Sequence, residues 1–91
     1  MEMEALRQQI DEIDGQLVEL FCRRMAVAAR IADYKRENGL PILASAREEE
    51  ILQRVSHQAG EELSEDVKKL YQNLFQISRD YQHRRNTEVV K

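Results

Sequence analysis

One pattern of apolar residues dominates the first 38 residues of this 91-residue chain and most constrains its fold. Apolar side chains recur there at alternating spacings of four and three, which is the heptad seam of a long amphipathic helix. Asn38 and Gly39 can cap such a helix and Pro41 cannot continue it, so we predict the helix over about residues 4–38. The seam consists of Leu6, Ile10, Ile13, Leu17, Leu20, Val27, Ile31 and Tyr34.

The length of this helix bears on assembly. At a rise of about 1.5 Å per residue, it is roughly 50 Å long. A compact monomer of this size has a radius of gyration of about 12 Å and a diameter near ~30 Å. The seam beyond the shorter helices would therefore stay in water unless another chain covered it, and we predict a homodimer in which the long helices pair.

Two further helices follow from helix-start signals. Ser45 and Glu48 have the spacing of a capping box, which predicts a second helix over about residues 46–59. Ser64 precedes two acidic residues in a position that the helix dipole favours, which predicts a third helix over about residues 65–86. The inward residues of the second helix are Ile51, Leu52 and Val55.

The composition favours a single all-α domain over residues 1–91, with only three glycines, one proline and no alternating β-branched run. A net charge of -3 argues against nucleic-acid or membrane partners. Cys22 alone cannot form an internal disulfide, and with His57 and His83 it makes a poor metal-ligand set. We therefore expect no metal site. No apolar leader or membrane span is visible, so we expect a cytoplasmic protein.

One charged residue interrupts the apolar seam of the first helix, and a second cation lies close to it. Arg24 takes the seam position between Leu20 and Val27, where an unpaired buried charge would cost several kcal/mol. Lys35 lies only about 20° away around the helix, so the two cations face one space. Arg7 is about 100° away in phase from Arg24 and faces a different neighbour.

Polar residues also replace apolar ones on the third helix, where the stripe of Tyr71 and Phe75 continues at Ser78 and Gln82. Taken singly, many of these polar residues have ordinary structural explanations, such as a snorkelling arginine or a capping glutamate. Together they predict a cavity for a small anion with more than one negative group. The set is Arg7, Arg24, Lys35, Arg47, Glu48, Ser78 and Gln82, with four cations and one carboxylate and thus a net charge of +3.

The candidate set lacks a covalent catalyst. Neither histidine has a recognisable place beside Cys22 or a serine, and there is no glycine-rich phosphate loop. Cations and hydrogen-bond donors without a nucleophile suit a reaction that depends on positioning and electrostatic stabilisation.

A series of motifs connects this pattern to a known family. They are LRQQIDEID at residues 6–14, the arginine pair at 23–24, Lys35, Pro41, the Arg-Glu pair at 47–48 and SRDYQ at 78–82. In their order and spacing the chain resembles the small all-helical chorismate mutases of the AroQ class over nearly its whole length. The resemblance implies an intertwined three-helix homodimer of the chorismate mutase II type. Each of its two sites would take one arginine, by position Arg7, from the partner's long helix.

The resemblance implies the Claisen rearrangement of chorismate to prephenate in phenylalanine and tyrosine biosynthesis, with no covalent intermediate and no cofactor. By position, Arg24 and the partner's Arg7 would bind the two carboxylates of the substrate, with Ser78 assisting. Lys35 and Gln82 would stabilise the charge that grows on the breaking ether oxygen.

The resemblance also implies roles for Glu48, Arg47 and the position of Ala44, two of them at the ring hydroxyl of the substrate. Glu48 would accept a hydrogen bond from it, and Arg47 would complete the cationic wall. Many relatives carry an aspartate three residues after the loop proline, where this chain has Ala44. If the contact there is made by the backbone, alanine changes nothing; if it is made by a carboxylate, recognition of the hydroxyl is weaker.

Two other functions compete with the mutase. An isochorismate pyruvate lyase on the same fold shares much of the cationic clamp, although Ser78 and Glu48 are mutase-like choices. A non-catalytic helical dimerisation or regulatory module would instead tolerate alanine at Arg24, Lys35 and Gln82.

Overall fold

The computed structural model describes the backbone of residues 1–90 and the side chains of residues 1–86. It consists of α1 (Glu2–Glu37), α2 (Ser45–Ala59) and α3 (Ser64–Val90), with no strand in this part of the chain. The predicted all-α fold of one long, one short and one medium helix is confirmed. None of the three helices, over the residues described, has the length and apolar character needed to cross a membrane.

The end of α1 has the glycine cap that the sequence predicted. Gly39 adopts a left-handed φ of 66°. The Leu40 N–H donates to the Lys35 carbonyl at 2.8 Å, and the Gly39 N–H donates to the Arg36 carbonyl at 3.4 Å. These two bonds form a Schellman motif, which stops α1 and turns the chain toward α2.

The predicted capping box at the start of α2 is wrong. Ala44 occupies the N-cap position, Ser45 is already helical, and no side chain caps the helix. The Glu48 carboxylate binds Arg79 on α3 instead of a backbone N–H. The reason is tertiary, because the fold brings the Arg79 guanidinium, a partner with a full positive charge, within reach of the carboxylate.

α1 extends well beyond the other two helices. The chain measures 55 Å along its longest axis and has a radius of gyration of 16.5 Å, against about 12 Å for a compact chain of this length. Residues 1–23 are all exposed. Each seam residue of α1 is between 46% and 61% exposed, so α2 and α3 of the same chain do not cover the seam.

α1 packs on α3 through a different face. The buried residues of α1 are Met25, Ala28, Ala29 and Ala32. Three alanines in this contact allow the two helices to lie close together, because the distance between packed helices depends on the side chains at their interface.

α3 is the element that connects the fold. Its Phe75 forms a buried cluster with Ile51 and Val55 of α2, and Tyr71 meets the Phe75 ring edge-on with ring centroids 6.0 Å apart. α3 packs against both other helices, whereas α1 and α2 do not pack directly on each other in the described part of the chain. A cleft therefore remains between α1 and α2, above α3.

We expect Phe75→Ala to lower the free energy of unfolding by about 3 kcal/mol, because it deletes the largest side chain of the buried cluster. Urea unfolding followed by circular dichroism measures the loss. The control is Leu70→Ala on the same helix, where the side chain is 58% exposed and the expected loss is below about 1 kcal/mol. Equal losses in the two variants would contradict the packing of α3 described here.

Candidate active site

A cavity of about 330 Å³ lies in the cleft between α1 and α2, and residues of all three helices line it. This volume is at the lower end of the range for small-molecule sites. Apolar side chains, among them Val27, Ile31 and Ile51, form part of its walls. The structure brings seven of the sequence-derived site residues together here: Arg24, Lys35, Ala44, Arg47, Glu48, Ser78 and Gln82.

α3 holds Arg24 in place. The Arg24 Nη1 donates to the Ser78 Oγ at 3.3 Å. The Arg24 Cζ also lies 5.9 Å from the ring centroids of both Tyr71 and Phe75, where the ring electrons attract a cation. A guanidinium has five N–H donors, so most of them remain for an anion in the cavity.

Lys35 connects α1 to the loop that precedes α2. Its Nζ donates to the Ile42 carbonyl at 2.9 Å. The ammonium has further N–H donors for a ligand, and the bond holds the loop at the edge of the cavity. Ala44, at the end of the same loop, also lines the cavity and brings no charged side chain to it.

Gln82 is buried, and its orientation is determined by the backbone of α1. The Gln82 Nε2 donates to the Ala28 carbonyl at 2.9 Å. Because a carbonyl can only accept, the amide nitrogen and not the oxygen must face α1. The second N–H of the same nitrogen remains for another acceptor.

Glu48 and Arg79 form an ion pair between α2 and α3, and both side chains are about three-quarters buried. Arg79 also donates from Nη2 to the Gln76 Oε1 at 3.0 Å. Arg47, in contrast, lies at the rim of the cavity with its side chain 56% exposed and paired with Glu50.

The cavity is strongly cationic. Five cationic side chains and one carboxylate line it, for a formal net charge of +4, in a chain whose total is -3. Such a field favours an anionic ligand. The cations are Arg24, Lys35, Arg47, Arg54 and Arg79.

Sequence reasoning missed two of these cations. Arg54 lies about two helical turns after Arg47 on the same face of α2, so helical spacing could have identified it. Arg79 directly follows Ser78 and points about 100° away from the polar stripe of α3. Its place in the cavity depends on the bond to Glu48 and has no signal in the sequence of α3 alone.

Arg7 does not belong to the cavity of its own chain. It lies on the exposed part of α1, beside Leu6 and Ile10. At about 1.5 Å per residue, it is roughly 25 Å along the helix from Arg24.

A family model described as chorismate mutase type II matches residues 6–83. The chain belongs to this family. The residues of this chorismate mutase family member that the family model matches include Arg7 and every cationic residue of the cavity.

Several curated relatives are similar to part of the chain. It is 40% identical over 48 residues to a T-protein of Haemophilus influenzae, which is 53% of this chain and 13% of that protein. It is 32% identical over 60 residues to a 4-amino-4-deoxychorismate mutase of Streptomyces venezuelae, which is 66% of this chain and 58% of that one. It is 36% identical over 50 residues to a chorismate mutase of Methanocaldococcus jannaschii, which is 55% of this chain and 50% of that protein. The matched part of the chain thus spans between 13% and 58% of the length of these relatives. No solved structure gives a significant match.

We expect Gln82→Glu to destabilise the fold by roughly 1–3 kcal/mol at pH 7, because an ionised carboxylate cannot donate to the Ala28 carbonyl. The loss should shrink as the pH falls, since the protonated acid recovers a donor. Thermal unfolding between pH 4 and about 7 measures it. Gln72→Glu, at an exposed position of α3, is the charge-matched control, and the same pH dependence there would contradict the role of the Gln82 bond.

Proposed function

We propose that this chain catalyses the Claisen rearrangement of chorismate to prephenate. The observation that carries the proposal is the cavity with a net charge of +4 in a chain of the chorismate mutase type II family. Chorismate is a dianion, and its rearrangement breaks one C–O bond and forms one C–C bond within a single molecule. A site of cations and neutral donors suits such a reaction, which needs no external nucleophile, acid or cofactor.

Arg24 and Arg7 are assigned to the two carboxylates of the substrate. Arg24 is pre-oriented by Ser78 and by the two rings of α3, so little side-chain entropy is lost when it binds an anion. Its fork of donors matches a carboxylate. The second carboxylate is assigned to the partner's Arg7, because Arg7 of the same chain lies too far away along α1.

Lys35 and Gln82 are assigned to the ether oxygen of the breaking bond. Negative charge grows on this oxygen in the transition state, so donors placed there stabilise the transition state more than the bound substrate. Each side chain is anchored by one hydrogen bond to a backbone carbonyl and retains at least one further N–H. Anchored donors need no reorganisation when the charge develops, which is the source of their catalytic effect.

The shape of the cavity supplies the other contribution. The extended dianion must fold so that the two carbon atoms that bond lie close together. A cavity of about 330 Å³ with apolar walls and opposed cations favours that compact conformer. Restricting a flexible substrate to its reactive geometry can lower a barrier by several kcal/mol. Arg47 at the rim is assigned to the cationic wall, and Glu48 to the ring hydroxyl.

The complete site requires a second copy of the chain. The exposed seam of α1 offers an apolar face for pairing, and the partner's α1 would bring its Arg7 to the cavity. An isologous dimer of this kind has two equivalent sites, each built from both chains.

We expect the purified protein to convert chorismate to prephenate, with loss of chorismate followed by ultraviolet absorbance and the product identified by chromatography. Lys35→Ala should lower kcat by at least about 100-fold, because it removes a donor to the developing charge. Lys69→Ala, at an exposed position of α3, is the control and should match the parent. Thermal melting of each variant separates a catalytic loss from unfolding.

A subunit-mixing experiment tests the shared site. Arg7→Ala and Arg24→Ala should each be nearly inactive alone. In a mixed dimer, one site combines the intact Arg24 of one chain with the intact Arg7 of the other. Equal amounts with free subunit exchange should therefore recover about a quarter of the parental activity by random pairing. No recovery, with exchange verified by mass spectrometry, would contradict the assignment of Arg7.

Other results would support the competing functions. Turnover of isochorismate with release of pyruvate, and none of chorismate, would favour the lyase on the same fold. A non-catalytic module would show no turnover and no rise in melting temperature with chorismate. The mutase predicts thermal protection that weakens with added salt, because ionic contacts hold the dianion.

A further inference from the structure

The acidic side chain of the cavity is already paired. Among the described residues that line the cavity, Glu48 is the one carboxylate, and Arg79 binds it from α3. The Arg79 bond is made to Oε2 of Glu48, which leaves the lone pairs of Oε1 for another donor. With about three-quarters of each side chain buried, solvent and salt screen this pair less than a surface pair.

We propose that Arg79 determines substrate selectivity: by pairing with Glu48, it makes the cavity accept a neutral hydroxyl and reject an ammonium at the ring position that faces Glu48. This rests on the proposed function, in which Glu48 faces the ring hydroxyl of chorismate. The substrate to be rejected is 4-amino-4-deoxychorismate, which carries an amino group in place of that hydroxyl.

The physical basis is the charge that each group brings into the cavity. A hydroxyl can donate to Oε1 of Glu48 and adds no charge. An ammonium adds a positive charge to a cavity that already has a net charge of +4. An unpaired carboxylate could compensate for that charge, but Arg79 already neutralises Glu48. Ala44 offers no second carboxylate at the neighbouring wall position.

Arg79 is better placed for this role than the other cations of the cavity. Its second donor, Nη2, binds Gln76 on the same helix at 3.0 Å, so the guanidinium is held at two points. Arg47 pairs with Glu50 at the rim. Arg54 lines the cavity but is not the partner of Glu48. Arg54 therefore provides a matched control for a loss of positive charge without a loss of the pair.

The test compares kcat/KM for chorismate and for 4-amino-4-deoxychorismate at pH 7 in the full chain and its variants. Arg79→Gln should narrow the preference for chorismate by at least about tenfold, because the freed Glu48 carboxylate can pair with the ammonium. Arg79→Lys keeps a cation on Glu48 and should retain most of the preference. Arg54→Gln removes the same charge but leaves Glu48 paired, so it should change the ratio much less than Arg79→Gln does. Adding Glu48→Gln to Arg79→Gln should remove the gain with the amino substrate.

The outcomes separate this inference from the proposed function. An unchanged ratio in Arg79→Gln, with the melting temperature retained, overturns the role of Arg79. An equal change of the ratio in Arg54→Gln also overturns it, because net charge alone would then explain the preference. A parent that turns over neither substrate overturns the proposed function and this inference with it. If the parent is active on chorismate and no variant changes the ratio of kcat/KM between the two substrates, only the inference is overturned.

Discussion

The close packing of α3 against α1 is the contact on which the rest of the structure depends. α1 and α2 do not pack on each other in the described part of the chain, so the packing of both helices on α3 largely determines how their side chains are placed across the cleft. The alanines of α1 let α3 lie near enough for the buried Gln82 to reach the Ala28 carbonyl. The same approach brings Ser78 within hydrogen-bond distance of Arg24. A bulkier interface would separate both pairs, and the cavity would lose its ordered donors.

The five cations that line the cavity repel one another, since like charges interact unfavourably at short range. Local contacts offset part of this repulsion. Two aromatic rings face Arg24, Glu48 neutralises Arg79, and Glu50 pairs with Arg47. A residual positive field remains for an anionic ligand. In the proposed mutase, that field is complementary to the dianionic substrate and to the charge that grows on its ether oxygen.

Two features of α1 point to the same proposed assembly. The exposed seam leaves a small chain with little apolar surface buried, and no large side chain among the described residues is below 2% exposed. Chains of this size gain much of their stability from further burial, for which pairing of long helices is one solution. Arg7 lies on that same exposed half of α1, far from the cavity of its own chain. A partner that covers the seam would thus stabilise the fold and also complete the proposed site.

Periodicity and end signals in the sequence were enough to predict three helices and the stop of α1 at Gly39, because both depend on contacts between near neighbours along the chain. The polar interruptions at Arg24, Ser78 and Gln82 were visible for the same reason, as departures from a helical stripe. The capping box predicted from Ser45 and Glu48 was wrong, because the Glu48 carboxylate binds Arg79 on α3 and does not cap α2. The local sequence pattern also did not predict that Arg79 lines the cavity or that the alanines of α1 pack on α3. The sequence by itself determined which helices form and which faces carry charge. Only the tertiary structure decided which charges meet, because an ion pair between helices depends on distances across the fold that no local pattern encodes.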